Sequence, residues 1–321
     1  MRLTDKPLIQ VAAGVLRRAD GELLLAQRPV GKIAAGYWEF PGGKIERGES
    51  PRQALDRELH EELGIRVRTA RPLIRFRHEY SDRSVVLDTW LITDFDNEIR
   101  AHENQEFAWV PVSKLATWPQ TLPTVAPIAG ALSLPEDYVF TPPRATLQEL
   151  TQGLRHLPSG ALLRLRQPQL DDRRYEQLAA ELLPAARRAG LRLILDRAPE
   201  RALALQAEGW HATSGVLSAL AVPPLAPKLR FASCHDPEEL ARARVLGFSA
   251  AVLGPVQATA SHPQAVPIGW AAYAAQVQAA GLPVYALGGV GPRHRQQAFA
   301  AYGQGVAGIS AYWPELPDSG D

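Results

Sequence analysis

The chain has 321 residues, 46% apolar and 21% charged, with 35 Lys plus Arg against 34 Asp plus Glu. That length suits two domains, and so small a net charge argues against a polymeric nucleic acid or an acidic membrane as partner. One cysteine, Cys234, excludes an internal disulfide and an all-cysteine metal cage.

Charges at Arg17, Arg18, Asp20 and Glu22 interrupt the N-terminal apolar stretch, which reads as strands and not as a signal peptide. No run approaches the roughly 18 apolar residues of a membrane span, so a cytoplasmic location is expected. Ile9–Leu16 and Leu23–Gln27 flank an Ala19–Gly21 turn, a hairpin signal. Ser50–Leu63 has helical spacing, with Ala54, Leu55, Leu59 and Leu63 in one stripe, Ser50 as N-cap, Pro51 at the first position and Gly64 as the stop. Ser84–Thr93 is strand-like in composition.

Proline density over Pro119–Pro143, with a helical patch at Ala126–Leu132, marks a boundary that divides the chain into domains 1–134 and 135–321. Beyond it come eight short apolar runs: Tyr138–Thr141, Ala161–Arg166, Leu193–Asp196, Trp210–Ala212, Leu229–Ser233, Ala250–Gly254, Val284–Gly288 and Val306–Ser310. Helical patterns such as Arg173–Ala189, Pro237–Leu246 and Gly269–Ala280 fill most gaps. Eight strands with helical crossovers predict a closed (β/α)8 barrel, with an open doubly wound sheet as the alternative.

The chemistry concentrates on the first helix. Glu58, Glu61 and Glu62 stand at i, i+3 and i+4, so their carboxylates share a face and repel unless a cation lies between them. Oxygen ligands of that kind suit Mg²⁺, with Mn²⁺ as the alternative. Leu55, Leu59 and Leu63 bury the opposite face, and the loop Phe40-Pro41-Gly42-Gly43 allows close backbone approach. The competing reading is a solvated acidic helix face.

The whole segment Gly43–Ile65, GKIERGESPRQALDRELHEELGI, satisfies G-x5-E-x7-R-E-U-x-E-E-x-G-U, where U is a bulky aliphatic residue. It therefore resembles the Nudix hydrolases over about residues 8–132. The resemblance implies an α/β/α sandwich and Mg²⁺-dependent hydrolysis of a nucleoside diphosphate linked to another group. The run Tyr37–Glu46, together with Arg28, Tyr80–Arg83 and Glu103-Asn104-Gln105 before Trp109, is similar to the MutT-type 8-oxo-dGTP diphosphatases. By that resemblance the Gly43 carbonyl and Glu58, Glu61, Glu62 and Glu103 hold metal. Glu58 or Glu103 takes the proton of the attacking water, and Arg57 clamps Glu49 or Glu61. Arg28, Phe40, Tyr80 and Arg83 lie at the nucleotide, the alternative for either arginine being a solvated surface residue. One departure stands out: Val125 occupies the place of the asparagine that reads the oxidised purine, and valine can neither donate nor accept.

From residue 138 the chain resembles the thiamine phosphate synthase and TenI-type (thiazole tautomerase) barrels. The matching pieces include Leu193–Asp196, Ala232–His235, Leu253–Val256, Ala286–Val290 and Gly308–Ala311. Gly288, Gly289, Ile309 and Ser310 follow the last two strands, where such barrels bind phosphate; glycines needed only for backbone shape are the alternative. The synthase chemistry reads as damaged. Asp196-Arg197 stands for an Asn-Asp pair, Arg164–Pro168 lacks the diphosphate lysine, and Ser214–Val216 and Thr259–His262 replace two further motifs. Cys234, His235 and His262 are expected to be packing or loop residues.

The leading expectation is an Mg²⁺-dependent nucleoside triphosphate pyrophosphohydrolase that clears oxidised nucleotides, joined to a degenerate barrel that binds a phosphorylated, thiamine-related ligand. Two alternatives remain: hydrolysis of thiamine-precursor diphosphates, and a barrel that only senses a ligand or serves as structure. The sequence leaves the oligomeric state open.

Overall fold

A computed structural model describes residues 6–259 and 264–313. The chain divides into two units, Met1–Leu134 and Pro135–Asp321. The first runs β1 (Leu8–Leu16), β2 (Leu23–Gln27), β3 (Trp38–Glu39), β4 (Gly42–Lys44), α1 (Pro51–Leu63), β5 (Arg66–Glu79), β6 (Ser84–Asp96), β7 (Phe107–Val110), α2 (Val112–Leu115) and α3 (Val125–Leu132). Its larger sheet has the order β4-β1-β6-β5. Alternate residues of β1 feed two different cores. Ala12 and Leu16 pack with Leu55, Leu59 and Leu63 of α1. Ala13 and Val15 pack with Val125, Ile128 and Ala129 of α3. The period of two in a strand thus places a helix on each face, an α/β/α arrangement.

The expected β1–β2 hairpin is corrected by the sheet topology. The turn forms, with Gly21 at φ +90° and its N–H 3.0 Å from the Arg18 carbonyl. However, β2 belongs to a separate antiparallel sheet, β3-β2-β7, and an isolated bridge between Arg17 and Leu23 is the antiparallel link recorded between the runs. Each of the two strands takes two other strand neighbours.

Helix α1 has the expected ends. Ser50 and Gln53 form a reciprocal capping box, and Gly64 closes the helix at φ +71° with its N–H 3.0 Å from the His60 carbonyl. Strand β5 was not expected. Arg66, Arg68, Arg71, Arg75 and Arg77 dilute its apolar signal, and register shifts near Thr69 and Pro72 break the alternation on which such a prediction relies.

The second unit begins with β8 (Asp137–Phe140), α4 (Leu147–Gly153), β9 (Leu162–Leu165), α5 (Asp172–Arg188), β10 (Arg192–Leu195), α6 (Pro199–Ala204), β11 (Gly209–Ala212) and α7 (Ser214–Ala219). It continues with β12 (Leu229–Cys234), α8 (Pro237–Val245), β13 (Ala250–Leu253), α9 (Gly269–Ala280), β14 (Val284–Ala286), α10 (Arg295–Ala300) and β15 (Gly305–Gly308). The eight strands pair in parallel and close into a barrel, β15 lying against β8. Expected and observed strands coincide within two residues. Residues such as Val139, Leu163, Leu193 and Ala232 face the surrounding helices, in one core cluster with Tyr175, Ala179 and Leu182 of α5. The alternate positions fill the barrel: Tyr138 stacks against Phe231, Tyr285 and His211 with ring centroids 5.0, 5.6 and 5.7 Å away. Among the described residues no helix is long and apolar enough to cross a membrane.

Leu59 is fully buried under the face of α1 opposite its carboxylates. Leu59→Ala is expected to destabilise the first unit by about 2–5 kcal/mol, read as a lowered midpoint in urea denaturation followed by intrinsic fluorescence.

Candidate active site

Helix α1 presents its glutamates toward the glycine strand β4. A Cβ added at Gly43 would collide with the Glu58 carboxylate, so a side chain there would displace it from this position. One residue earlier, Gly42 N–H donates to Glu62 Oε2 at 3.0 Å. Glu61 diverges: its side chain is 59% exposed and reaches only the edge of Arg57, at 3.5 Å.

Arg57 is a clamp with four anchors. It grips Glu49 through two parallel bonds, Nε to Oε1 at 2.8 Å and Nη2 to Oε2 at 2.9 Å. It also holds Glu58 Oε1 at 2.8 Å and the Lys44 carbonyl at 3.0 Å. The guanidinium and the Glu46 amide hold the Glu49 carboxyl down at about 2, so the clamp stays charged on both sides at neutral pH. Glu58 is thereby oriented and tied to the loop that carries Gly43.

Glu62 is the strained member. Burial, reinforced by the nearby charges of Glu103 and Glu39, pushes its carboxyl up to about 7, despite the Gly42 amide and Lys32. Glu39 is also raised, mainly by burial, although Arg28 Nη1 lies 2.5 Å from its Oε1. Glu103 sits on the loop after β6, whose neighbours dock on the open end of α1. Arg100 N–H donates to the Leu63 carbonyl at 3.0 Å, and Gln105 Nε2 donates to the Glu62 carbonyl at 3.0 Å. His102 Nδ1 lies 3.0 Å from the Glu61 carbonyl. These contacts satisfy carbonyls that a helix leaves without partners in its last turn, and they fix the loop beside α1. Glu103 itself pairs with Lys32.

Among the described residues no three carboxylate, imidazole or thiol groups are gathered closely enough to enclose a metal ion as they stand. The donor set nevertheless fits a hard divalent cation. Its groups are oxygens, and Glu62 is a half-buried carboxylate whose ionised form is disfavoured by burial and, less, by Glu103 and Glu39. A divalent charge would relieve that cost. Glu58, Glu62, Glu103 and the Gly43 carbonyl are the groups that would hold it, with Glu61 swung outward here.

The nucleotide-side residues fall into two sets. Phe40 is buried in the core with Val125, which is only 2% exposed and packs beside Ile128. Tyr80 carries the Arg83 guanidinium 4.7 Å from its ring centroid. Arg83 also pairs with Asp82 at 2.7 Å. Arg28 is committed to Glu39 and to the Ile33 carbonyl at 2.7 Å. Glu39, Lys32 and Gln105 were not singled out as site residues from the sequence. Their only signal there is proximity to motif positions, since a β2–β3 loop and a post-β6 loop meet only in three dimensions.

In the barrel, the acidic metal position of the resemblance carries Arg197, and its neighbour Asp196 is already paired. Asp196 Oδ2 accepts from Arg164 Nη2 at 3.0 Å and from Nε at 3.1 Å. Arg197 donates to the Gln167 and Leu170 carbonyls at 3.3 and 2.8 Å. A divalent ion therefore does not fit at Asp196-Arg197. Deeper in, His211 Nδ1 lies 2.8 Å from the Tyr138 hydroxyl and its Nε2 lies 2.8 Å from Ser233 Oγ. Burial and the Arg164 charge keep that imidazole neutral. Cys234 is buried with its thiol pushed up to about 12, mainly by desolvation, so it offers no thiolate at neutral pH. His235 Nδ1 lies 2.9 Å from the Gly254 carbonyl. Gly288 (φ +90°) and Gly289 (φ +64°) turn the chain after β14, and side chains there would strike Pro255 and Gln257. Ile309 and Ser310 directly follow β15. Ala260, Ser261 and His262 lie outside the described residues.

Residues 8–128 match the NUDIX domain model and residues 138–312 match that of thiamine monophosphate synthase. The CTP pyrophosphohydrolase of Escherichia coli K12 is 43% identical over 112 residues, 35% of this chain and 82% of that protein. The 8-oxo-dGTP diphosphatase of Proteus vulgaris is 42% identical over 97 residues, 30% of this chain and 87% of that one. For the second unit, a putative thiamine-phosphate synthase 2 of Aquifex aeolicus is 28% identical over 184 residues, 56% of this chain and 99% of that one.

Two outcomes follow from the geometry. Arg57→Gln leaves Glu49 and Glu58 without their shared anchor and is expected to lower kcat/KM about 10–100-fold in steady-state hydrolysis assays. Glu62 binds its proton more tightly folded than unfolded. The metal-free protein is therefore expected to lose stability as pH rises from about 4.5 to about 7 through this group. Comparison of thermal midpoints across that window for wild type and Glu62→Gln checks the sign: the glutamine variant removes this contribution.

Proposed function

We propose, for a chain that belongs to the Nudix hydrolases through its first unit and to the thiamine monophosphate synthase family through its second, that the active enzyme is a Mg²⁺-dependent nucleoside triphosphate pyrophosphohydrolase. That the first unit is a hydrolase of diphosphate bonds follows from its family. The single observation that carries the finer reading is the set formed by Glu58 against Gly43, Glu62 on the Gly42 amide and Glu103 docked beside them.

Bound among these groups, a divalent ion would supply positive charge to the phosphate oxygens and acidify a water ligand. Arg57 keeps Glu58 oriented toward the Gly43 backbone. Glu58 or Glu103 accepts the proton of the attacking water; each has one oxygen held by a cation, Arg57 on Glu58 and Lys32 on Glu103, and one oxygen left over. Water attack at phosphorus breaks one anhydride bond and releases a nucleoside monophosphate and pyrophosphate. Tyr80, with Arg83 over its ring, offers a face and a charge for the base and phosphates.

An oxidised guanine nucleotide, 8-oxo-dGTP, is the substrate we favour, by likeness to the diphosphatase relatives. The burial of Val125 leaves the side chain at that position no part in reading the base, so selection falls to Thr124, to backbone groups or to another residue. This favours a second reading in which pyrimidine triphosphates are also accepted, as the CTP pyrophosphohydrolase relative suggests. For the barrel we propose a phosphorylated small ligand at Gly288, Gly289, Ile309 and Ser310, without a metal-assisted synthase step.

Pyrophosphate release from 8-oxo-dGTP, dGTP and CTP, with Mg²⁺ and with a chelator, tests the reading. The expected order places 8-oxo-dGTP first and shows no turnover in chelator. Equal rates on all three would remove the oxidised-purine assignment, and turnover without divalent ion would remove the metal.

A further inference from the structure

Lys32 lies on the loop between β2 and β3, with its ammonium against the Glu103 carboxylate. The loop is closed at its base. Arg28 N–H donates to the Tyr37 carbonyl at 2.9 Å and Gly36 N–H to the Arg28 carbonyl at 2.9 Å. Its course requires left-handed backbone at Gly31 (φ +94°), Ala34 (φ +58°) and Gly36 (φ +83°). Its outer side leaves Val30 and Ile33 exposed, so no core packing pins Lys32 there.

The cations of this site are unequally committed. Arg57 has four anchors, and Arg28 holds Glu39 and a carbonyl of its own loop. The Lys32 ammonium, with three donors, has Glu103 as its one side-chain partner among the described residues. Its charge also acts on Glu39 and Glu62. One flexible ammonium therefore screens a set of carboxylates that a divalent ion would also screen. The pair is 43% and 37% exposed, and such pairs are weak enough to exchange.

We propose that Lys32 is an exchangeable counter-ion of the active site, holding Glu103 in the metal-free enzyme and passing to the substrate's polyphosphate when a divalent ion takes the carboxylate. The proposal rests on the reading of Glu103 as a metal-facing group. It keeps the charges matched at each stage. The empty site has an ammonium on a carboxylate, and the filled site has divalent charge on carboxylates and an ammonium on phosphate. A lysine suits the transfer because its charge sits on a flexible stem and needs no fixed bidentate partner.

The test uses the full chain as wild type, Lys32→Met and Lys32→Arg. Mn²⁺ binding is measured without nucleotide by electron paramagnetic resonance, and KM for the triphosphate at saturating Mg²⁺. Loss of the competing ammonium should tighten Mn²⁺ binding by about two- to fivefold in Lys32→Met, the range expected from the strength of an exposed ion pair. The same variant should raise KM several-fold with little change in kcat, and Lys32→Arg should restore both toward wild type. Unchanged or weaker Mn²⁺ binding in Lys32→Met overturns the proposal, as does an unchanged KM. If wild type hydrolyses no nucleoside triphosphate, the substrate reading fails instead, and the Mn²⁺ titration alone decides the role of Lys32.

Discussion

The carboxylate arrangement of the first unit depends on Glu62 being held where burial, more than its acidic neighbours, disfavours its charge. Glu58 and Glu62 are pressed toward a strand whose two glycines leave no side chain in the way. The protein stabilises this arrangement from outside the cluster. Arg57 ties one carboxylate to Glu49 and to the Lys44 carbonyl, and the last turn of α1 is closed by groups from the loop that brings Glu103. Glu62 retains the cost, as its raised pKa records. Stability is given up locally to hold this carboxyl on the Gly42 amide.

Much of this was legible in the sequence, and the reasons are local. The ends of α1 are written in Ser50, Gln53 and Gly64, each of which acts within one turn of the helix. The barrel strands were legible because each is a short apolar run between helical patterns, and parallel strands buried on both faces need no alternation. What was not legible depends on long-range pairing. Nothing local to Leu23–Gln27 says that this strand joins Trp38–Glu39 and Phe107–Val110 in place of its neighbour in sequence. Strand β5 was hidden by its arginines and shifted register. Glu39, Lys32 and Gln105 enter the site through tertiary contacts, and the outward turn of Glu61 could not be read from its helical spacing.

The barrel interior holds a polar network whose members satisfy one another. Arg164 and Asp196 are well buried, and they satisfy one another. Tyr138, His211 and Ser233 form a continuous hydrogen-bonded chain around a neutral imidazole. A buried network of this kind is costly when any member is left unpaired and rigid when all are satisfied. In this barrel the groups that could hold a divalent ion at Asp196 are already spent on one another. That pairing fits the replacement of its neighbour by Arg197, which is itself anchored to backbone carbonyls.

Strand β1 has a consequence for how this fold can change over time. Because Ala12 and Leu16 serve one helix while Ala13 and Val15 serve the other, inserting or deleting a single residue there would exchange the two faces at once. The same slip would carry Gly14, which lies against Leu59 and Ile92, out of the one position where the absence of a side chain is needed. Point substitutions can be absorbed one face at a time, whereas length changes cannot. Evolutionary variation in loop length should therefore collect in the turns beyond this strand and leave its interior untouched.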